Sequence, residues 1–157
     1  MIFVKSQLLG ALVQPVILNI EKIMRRHNQP GRISADDFDV PKKQMEDMGD
    51  LLGLIREKRD ELSLLFFKAH GSAYEGFREE LVERMVEMGE GYLDALPAAQ
   101  PGPEIRVSRF FLHQMGSFHV NMIAELVMHP LSDGEEARFT EEYVTFVAAG
   151  WKRLLAL

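Results

Sequence analysis

The sequence contains no cysteine among its 157 residues, which excludes disulfide bonds and every metal site built on thiolates. Because it needs no oxidising compartment, we expect a cytoplasmic protein. It also lacks any run of about 18 apolar residues, the length of a membrane-spanning helix, so we expect no membrane partner. Positive charge is scarce as well: the formal net charge is -6, which argues against a general attraction to nucleic acid or anionic lipid.

Catalytic signatures are missing too. The chain has no cysteine nucleophile, no glycine-rich phosphate loop and no Gly-x-Ser-x-Gly turn. Ser117 lies near His113, but a serine within a helix has neither an oxyanion hole nor an orienting acid. His113 and His119 are six residues apart, so on a helix they point about 120° away from each other and do not suit a shared metal ion. We therefore expect neither an enzyme nor a metal or cofactor.

No segment alternates between polar and apolar residues for long enough to form a strand. Apolar residues instead recur at spacings of three and four, which predicts an all-α fold with five main helices in a single domain, residues 1–157. Helix-breaking residues separate these helices. We predict the first two from about Ser6 to His27, bent at Pro15, and from Pro41 to about His70, where Gly71 ends the second.

The remaining boundaries come from capping and breaking motifs. "SAYE" (72–75) has the pattern of a capping box, in which a serine and a glutamate satisfy backbone donors at a helix start, and it opens the third predicted helix. "PAAQPGP" (97–103) ends that helix. Pro103 and Glu104 start the fourth, which lasts until "MHP" (128–130), and a second capping box, "SDGE" (132–135), opens the fifth.

The last two predicted helices carry more apolar surface than one chain of this size can cover. "VSRFFLHQMGSFHVNMIAELV" (107–127) is apolar almost all round, and "FTEEYVTFVAAGWKRLLAL" (139–157) has two adjacent apolar stripes. We therefore predict a homodimer in which these helices from two copies form an intermolecular four-helix bundle. The residues assigned to the interface are Met122, Tyr143, Phe146, Val147, Gly150, Trp151 and Leu154. In the alternative, "VAAG" (147–150) is a tight contact within one chain.

Two long stretches resemble the effector domain of the TetR-type bacterial transcription regulators. They are "LLGLIREKRDELSLLFFKAHGSAYEGFREELVERMVEMGEGYL" (51–93) and "FFLHQMGSFHVNMIAELVMHPLSDGEEARFTEEYVTFVAAGWKRLL" (110–155). The resemblance implies a cytoplasmic ligand-sensing domain whose last two helices build the homodimer. Members of that family carry an N-terminal helix-turn-helix, for which this chain has no room, so we expect it to lack the DNA-binding domain and to bind no specific DNA alone.

The resemblance also implies a cavity surrounded by the second, third and fourth predicted helices. Nine methionines and ten phenylalanines favour a soft, apolar wall, so we expect an apolar or amphipathic small molecule. The residues assigned to ligand binding are Phe66, Phe67, His70, Met85, Met88, Phe111, Gln114, Met115, Phe118 and His119. Two alternatives stay open: a filled Met/Phe core with hydrogen-bonded histidines, and a stand-alone helical dimerisation module that binds no ligand.

Overall fold

A computed structural model describes residues 2–26, 41–99 and 107–156 of the chain, and the side chains of most of these residues. Within them it contains six α-helices and no strand, so the all-α prediction is confirmed. The helix count is six rather than five. The helices are α1 (Ile2–Arg25), α2 (Lys42–Glu57), α3 (Arg59–Phe67), α4 (Phe77–Ala99), α5 (Arg109–Met128) and α6 (Asp133–Leu154).

The first helix continues through its internal proline. α1 runs from Ile2 to Arg25 with Pro15 inside it, so the proline does not end the helix. Its buried side chains, Val13, Val16, Ile17 and Ile20, recur at helical spacing and face the core. The predicted loop at 27–39 lies outside the described residues.

The second predicted helix is in fact two helices. Lys58 leaves the helical conformation, with φ -121° and ψ 29°, and separates α2 from α3. The break falls within the charged stretch "REKRDE" (56–61) and divides two long-range contacts. On one side of it Arg56 pairs with Glu136 of α6 at 3.0 Å, and on the other Arg59 donates hydrogen bonds to backbone carbonyls of α5.

The predicted helix start at 72–75 is wrong. α3 ends at Phe67, residues 68–76 form turns, and α4 begins only at Phe77. The hydroxyl of Ser72 donates to the carbonyl of Ala69, and the carboxylate of Glu75 accepts from the backbone N–H of Gly71. These hydrogen bonds close the turn after α3 instead of capping α4. Gly71 has the left-handed φ of +73° that glycine adopts readily, but it stands beyond the helix end.

The last two helices begin with serine caps. Ser108 accepts a hydrogen bond from the N–H of Phe111 and starts α5, whereas the predicted start at Pro103 and Glu104 lies outside the described residues. The capping box at 132–135 is present, because Ser132 and Glu135 each bond the other's backbone N–H. The hydroxyl and the backbone N–H of Ser132 both donate to the carboxylate of Glu135, and these hydrogen bonds lower the pKa of that carboxyl.

One hydrophobic core cluster joins all six helices. Its buried members include Val16, Ile55, Leu62, Leu81, Val120 and Val144, one from each helix in chain order. Glycines bring α4 and α5 close together: a methyl group at Gly116 would lie 3.3 Å from the carbonyl oxygen of Val82. The last helix packs mainly on α2 rather than on α5. This arrangement leaves a space between the α4–α5 pair and α6.

Candidate ligand cavity

A cavity of about 370 Å³ occupies that space, and five of the six helices line it. Its volume falls within the range of about 300–1,000 Å³ that is typical of small-molecule sites. Most of its wall is apolar, with a few polar side chains. The lining residues are Ile20, Ile23 and Met24 of α1; Gln44, Asp47, Met48 and Leu51 of α2; Met85, Met88, Gly89, Tyr92 and Leu93 of α4; Leu112, Met115, Gly116, His119, Met122 and Ile123 of α5; Tyr143, Val144, Val147, Ala148 and Trp151 of α6; and Leu155, which follows α6.

Helical spacing explains why these side chains converge. On α5 the lining residues Leu112, Met115 and His119 follow one another at intervals of three and four. On α6, Val147 and Trp151 are likewise four residues apart and turn the same side of the helix inward. Each helix therefore contributes one continuous stripe to the wall.

The hydrogen bond between His119 and Tyr143 joins α5 to α6 at this wall. Nδ1 of the imidazole contacts the phenol oxygen, and both residues line the cavity. Burial lowers the pKa of His119 to about 4, so the ring is neutral at pH 7. Burial also raises the pKa of Tyr143, which keeps its hydroxyl protonated. The pair therefore adds polar atoms but no charge to the cavity.

The second polar region of the cavity lies on α2. Oε1 of Gln44 is buried and has no hydrogen-bond partner within the described residues. One turn further along the helix, Asp47 also lines the cavity and pairs with Arg26 at 2.8 Å. The guanidinium of Arg26 also contacts Asp50 at 2.5 Å, and the hydrogen bonds with Asp50 and Asp47 raise its pKa. The carboxylate of Asp47 is thus paired with a guanidinium that it shares with Asp50.

Four of the residues predicted to bind a ligand line this cavity: Met85, Met88, Met115 and His119. Phe66 does not; it is buried in the core, where its ring meets that of Phe77 edge-on at 5.7 Å. Phe67, the next residue of α3, is 39% exposed. The predicted second-helix contribution to the cavity comes from α2 and not from α3.

The other predicted ligand residues lie at the surface. His70 has 91% of its side chain exposed and pairs with Glu75 at 2.5 Å. Gln114 is exposed. Phe111 meets Trp151 edge-on at 5.7 Å, and Phe118 stacks on Tyr143, so these two rings pack against the outside of residues that line the cavity.

The residues predicted for the dimer interface divide into two groups. Met122, Tyr143, Val147 and Trp151 line the cavity. Phe146, Gly150 and Leu154 are exposed, with 71% of Phe146 and 47% of Leu154 accessible to solvent. Of the two apolar stripes of the last helix, one therefore faces the interior of its own chain and the other faces outward.

Together with neighbouring residues of α5, the outward stripe forms an exposed apolar surface. On α5, Phe110, Phe111, Phe118 and Met128 are all exposed, and at 100° per residue they fall within an arc of about 100°. We call this surface, made of Phe110, Phe111, Phe118, Met128, Phe146, Gly150 and Leu154, the α5–α6 face. A methyl group added at Gly150 would meet no atom within 4 Å, so the backbone of α6 is open there.

Apart from the α6 residues, which the sequence analysis assigns to the dimer interface or to no site, two further parts of the cavity wall were not predicted. One is the stripe Ile20, Ile23 and Met24 on α1, whose spacing of three and four was a usable signal. The other is the start of α2, where Gln44 and Asp47 are polar residues that an apolar pattern does not pick out. Met48 and Leu51 continue this side of α2 at helical spacing and are apolar.

The described residues show neither a metal cluster nor a membrane span. No group of three or more His, Asp or Glu side chains among them could hold a metal ion. None of the helices in the described ranges is long and apolar enough to cross a membrane.

Compared with known protein families, with curated proteins and with solved structures, the chain shows no significant match to any of them. The resemblance to TetR-type effector domains therefore stays a prediction that rests on the two sequence stretches quoted above. The cavity and the α5–α6 face are independent of it, because they are observed in this chain.

Proposed function

We propose that the protein is a small-molecule sensor of the TetR type, in which the cavity binds an apolar or amphipathic effector. The observation that carries the proposal is the cavity itself, about 370 Å³ of largely apolar space lined by five helices. The cavity is partly open to solvent, and apolar clefts of this volume commonly bind small molecules.

The second part of the proposal is that the chain acts as a homodimer through the α5–α6 face. Phe146 and Phe110 are each 71% exposed. Burying an apolar side chain of this kind stabilises a protein or a complex by roughly 1.5–3 kcal/mol, which these two rings do not contribute in the single chain. A second copy supplies the same face by twofold symmetry, which makes the contact self-complementary. The open backbone at Gly150 would let two α6 helices approach closely.

The proposed role in transcription regulation is supported by the sequence resemblance alone. In that reading an effector in the cavity changes how two α5–α6 pairs pack. α5 and α6 contribute residues to the cavity wall and to the α5–α6 face. A ligand that moves either helix in the cavity can therefore also change the dimer interface. A coupled domain that binds DNA would then carry out the regulation.

Thermal-shift screening with uncharged hydrophobic compounds tests the sensor. We expect some compounds to raise the melting temperature, and the variant Met115→Trp, which fills the cavity, to lose that response. Met45→Trp is the matched control, because Met45 lies on α2, is 40% exposed and does not line the cavity.

Sedimentation of the same protein tests the dimer separately. A dimer that no hydrophobic compound stabilises would refute the sensor and favour a stand-alone dimerisation module. Stabilisation by nucleotides or sugar phosphates instead would also refute the pocket assignment, because an anion buried without a partner is costly.

A further inference from the structure

We propose that the ligand of the cavity is an uncharged molecule with a hydrogen-bond donor, and that the donor binds the side-chain oxygen of Gln44. This inference rests on the proposed function, since it names the chemical class that the same cavity accepts. Suitable groups are the hydroxyl of a phenol or alcohol and the N–H of an amide, each attached to an apolar body.

The donor requirement comes from the unpaired oxygen of Gln44. Oε1 is buried and makes no hydrogen bond within the described residues, while the side chain lines the cavity. Most buried side-chain polar atoms in folded proteins have a partner, and leaving one unpaired is unfavourable. Because the side chain of Gln44 lines the cavity, its amide can turn its oxygen towards a donor on a bound molecule, which would supply the missing partner.

The requirement for an uncharged ligand comes from the other polar side chains of the wall. No Lys or Arg from the described residues lines the cavity, so an anion would find no cation there. The acid in the wall, Asp47, already has Arg26 as its ion-pair partner at 2.8 Å, so a cationic ligand would have to compete with that guanidinium. The neutral pair of His119 and Tyr143 adds none.

Aromatic rings in the wall favour an aromatic or similarly flat apolar body. Tyr92, Tyr143 and Trp151 reach the cavity from α4 and α6, and methionines of α4 and α5 fill the wall between them. The flexible side chain of methionine can place its sulfur against the edge of an aromatic ring, which is a favourable contact. A two-ring aromatic compound with one hydroxyl group combines this shape with a donor for the unpaired side-chain oxygen of Gln44.

Three naphthalene probes of similar size separate these requirements. 1-Naphthol carries a donor, 1-methoxynaphthalene only an acceptor, and 1-naphthoate a negative charge at pH 7. Dissociation constants measured by isothermal titration calorimetry should be roughly three- to tenfold lower for 1-naphthol than for 1-methoxynaphthalene, the value of one hydrogen bond. 1-Naphthoate should bind more weakly than either.

The variant Gln44→Met removes the acceptor and keeps the length of the side chain. It should erase the advantage of 1-naphthol and leave the affinity for 1-methoxynaphthalene unchanged. Without ligand, its melting temperature should not fall, because the variant also removes a buried unpaired oxygen. Gln7→Met is the matched control, since Gln7 is exposed on α1, and it should keep the wild-type order of affinities.

Each outcome bears on one proposal or on both. Equal affinities for 1-naphthol and 1-methoxynaphthalene, or an advantage that survives in Gln44→Met, would overturn the donor inference while the sensor stands. Tighter binding of 1-naphthoate would overturn the requirement for an uncharged ligand. No binding of any of the three probes would overturn the inference and count against the cavity as a site for apolar molecules.

Discussion

The rings of Phe118 and Tyr143 stack between α5 and α6, with centroids 6.0 Å apart and planes inclined by 16°. Tyr143 lines the cavity, whereas 43% of Phe118 is exposed on the α5–α6 face. This pair of rings therefore connects the interior of the chain to its exposed apolar surface, as does the pair of Phe111 and Trp151. A ligand that moves Tyr143 would move a residue of the proposed interface as well.

The substitution Gly150→Leu tests the interface. A Cβ atom added at this position meets no atom of its own chain within 4 Å, so we expect the fold of one subunit to tolerate the change. If two α6 helices approach at Gly150, the added side chain separates them, and the dimer should dissociate at least tenfold more readily, a loss of about 1.4 kcal/mol. Sedimentation velocity over a concentration series measures the change.

Gly49→Leu is the control for this substitution. Gly49 is an exposed helical glycine on α2 that likewise has no atom within 4 Å of an added methyl group, and it lies outside the α5–α6 face. Both variants gain helix propensity by losing glycine. Equal dissociation constants for the two would contradict an interface at Gly150, as would a wild-type protein that is monomeric at micromolar concentration.

Stability should fall between pH 6.5 and pH 4 because of His119. The pKa of this residue is about 4 in the folded chain, against 6.5 when it is unperturbed. Between these values the unfolded chain binds the proton and the folded chain does not, so lowering the pH favours unfolding. At about 1.4 kcal/mol per pKa unit, His119 can contribute up to about 3 kcal/mol, which is present above pH 6.5 and is lost towards pH 4.

The variant His119→Asn isolates this contribution from that of the carboxylates. The amide of asparagine can donate to or accept from the hydroxyl of Tyr143 but does not titrate. Urea denaturation at several pH values should show a shallower pH dependence for the variant than for the wild type. Parallel curves for the two proteins would mean that His119 is not buried as a neutral ring.

Close packing of α4 against α5 should make Gly116 sensitive to any larger residue. A Cβ atom there would lie 3.3 Å from the backbone oxygen of Val82 and 3.4 Å from its Cγ1, and backbone cannot turn aside. We expect Gly116→Val to lower the free energy of unfolding by about 1–3 kcal/mol, the usual cost of overpacking. Gly49→Val makes the same change of residue type in open space, so urea midpoints equal for both variants would contradict the prediction.

Local motifs made part of the fold predictable. The capping box of Ser132 and Glu135 is complete within four residues, and α6 begins where it predicts. The same pattern at Ser72 and Glu75 failed, because those side chains bond the preceding turn instead. No proline or glycine stands at Lys58, so the break between α2 and α3 has no local signal in the sequence. The break instead coincides with contacts to α5 and α6, which are far away in sequence.

Periodicity identified the site only in part, for a physical reason. It showed that α6 has two apolar stripes but not which of them its own chain covers, since that depends on how α2 and α5 pack around it. Val147 and Trp151 consequently turned out to face the cavity, and Phe146 the solvent. A polar residue such as Gln44 has no hydrophobic signal at all.

Removing the guanidinium of Arg59 should destabilise the end of α5. Its Nη1 donates to the carbonyl oxygens of Leu126 and Val127 at 2.8 and 2.6 Å, in the last turn of that helix. Carbonyls at a helix C-terminus have no partner within the helix and attract positive charge. The variant Arg59→Met keeps most of the aliphatic stem but leaves both oxygens unpaired, so the free energy of unfolding should fall by about 1.5–3 kcal/mol.

Two further variants show whether these hydrogen bonds are the cause. Arg138→Met removes an exposed arginine that pairs with Glu142 within α6, and it should cost no more than about 0.5 kcal/mol. Arg59→Lys keeps a charged donor and should recover part of the loss, because an ammonium can reach one carbonyl but does not reproduce the geometry of the guanidinium. If Arg59→Met and Arg138→Met shift the urea midpoint equally, Arg59 does not hold the end of α5 in place.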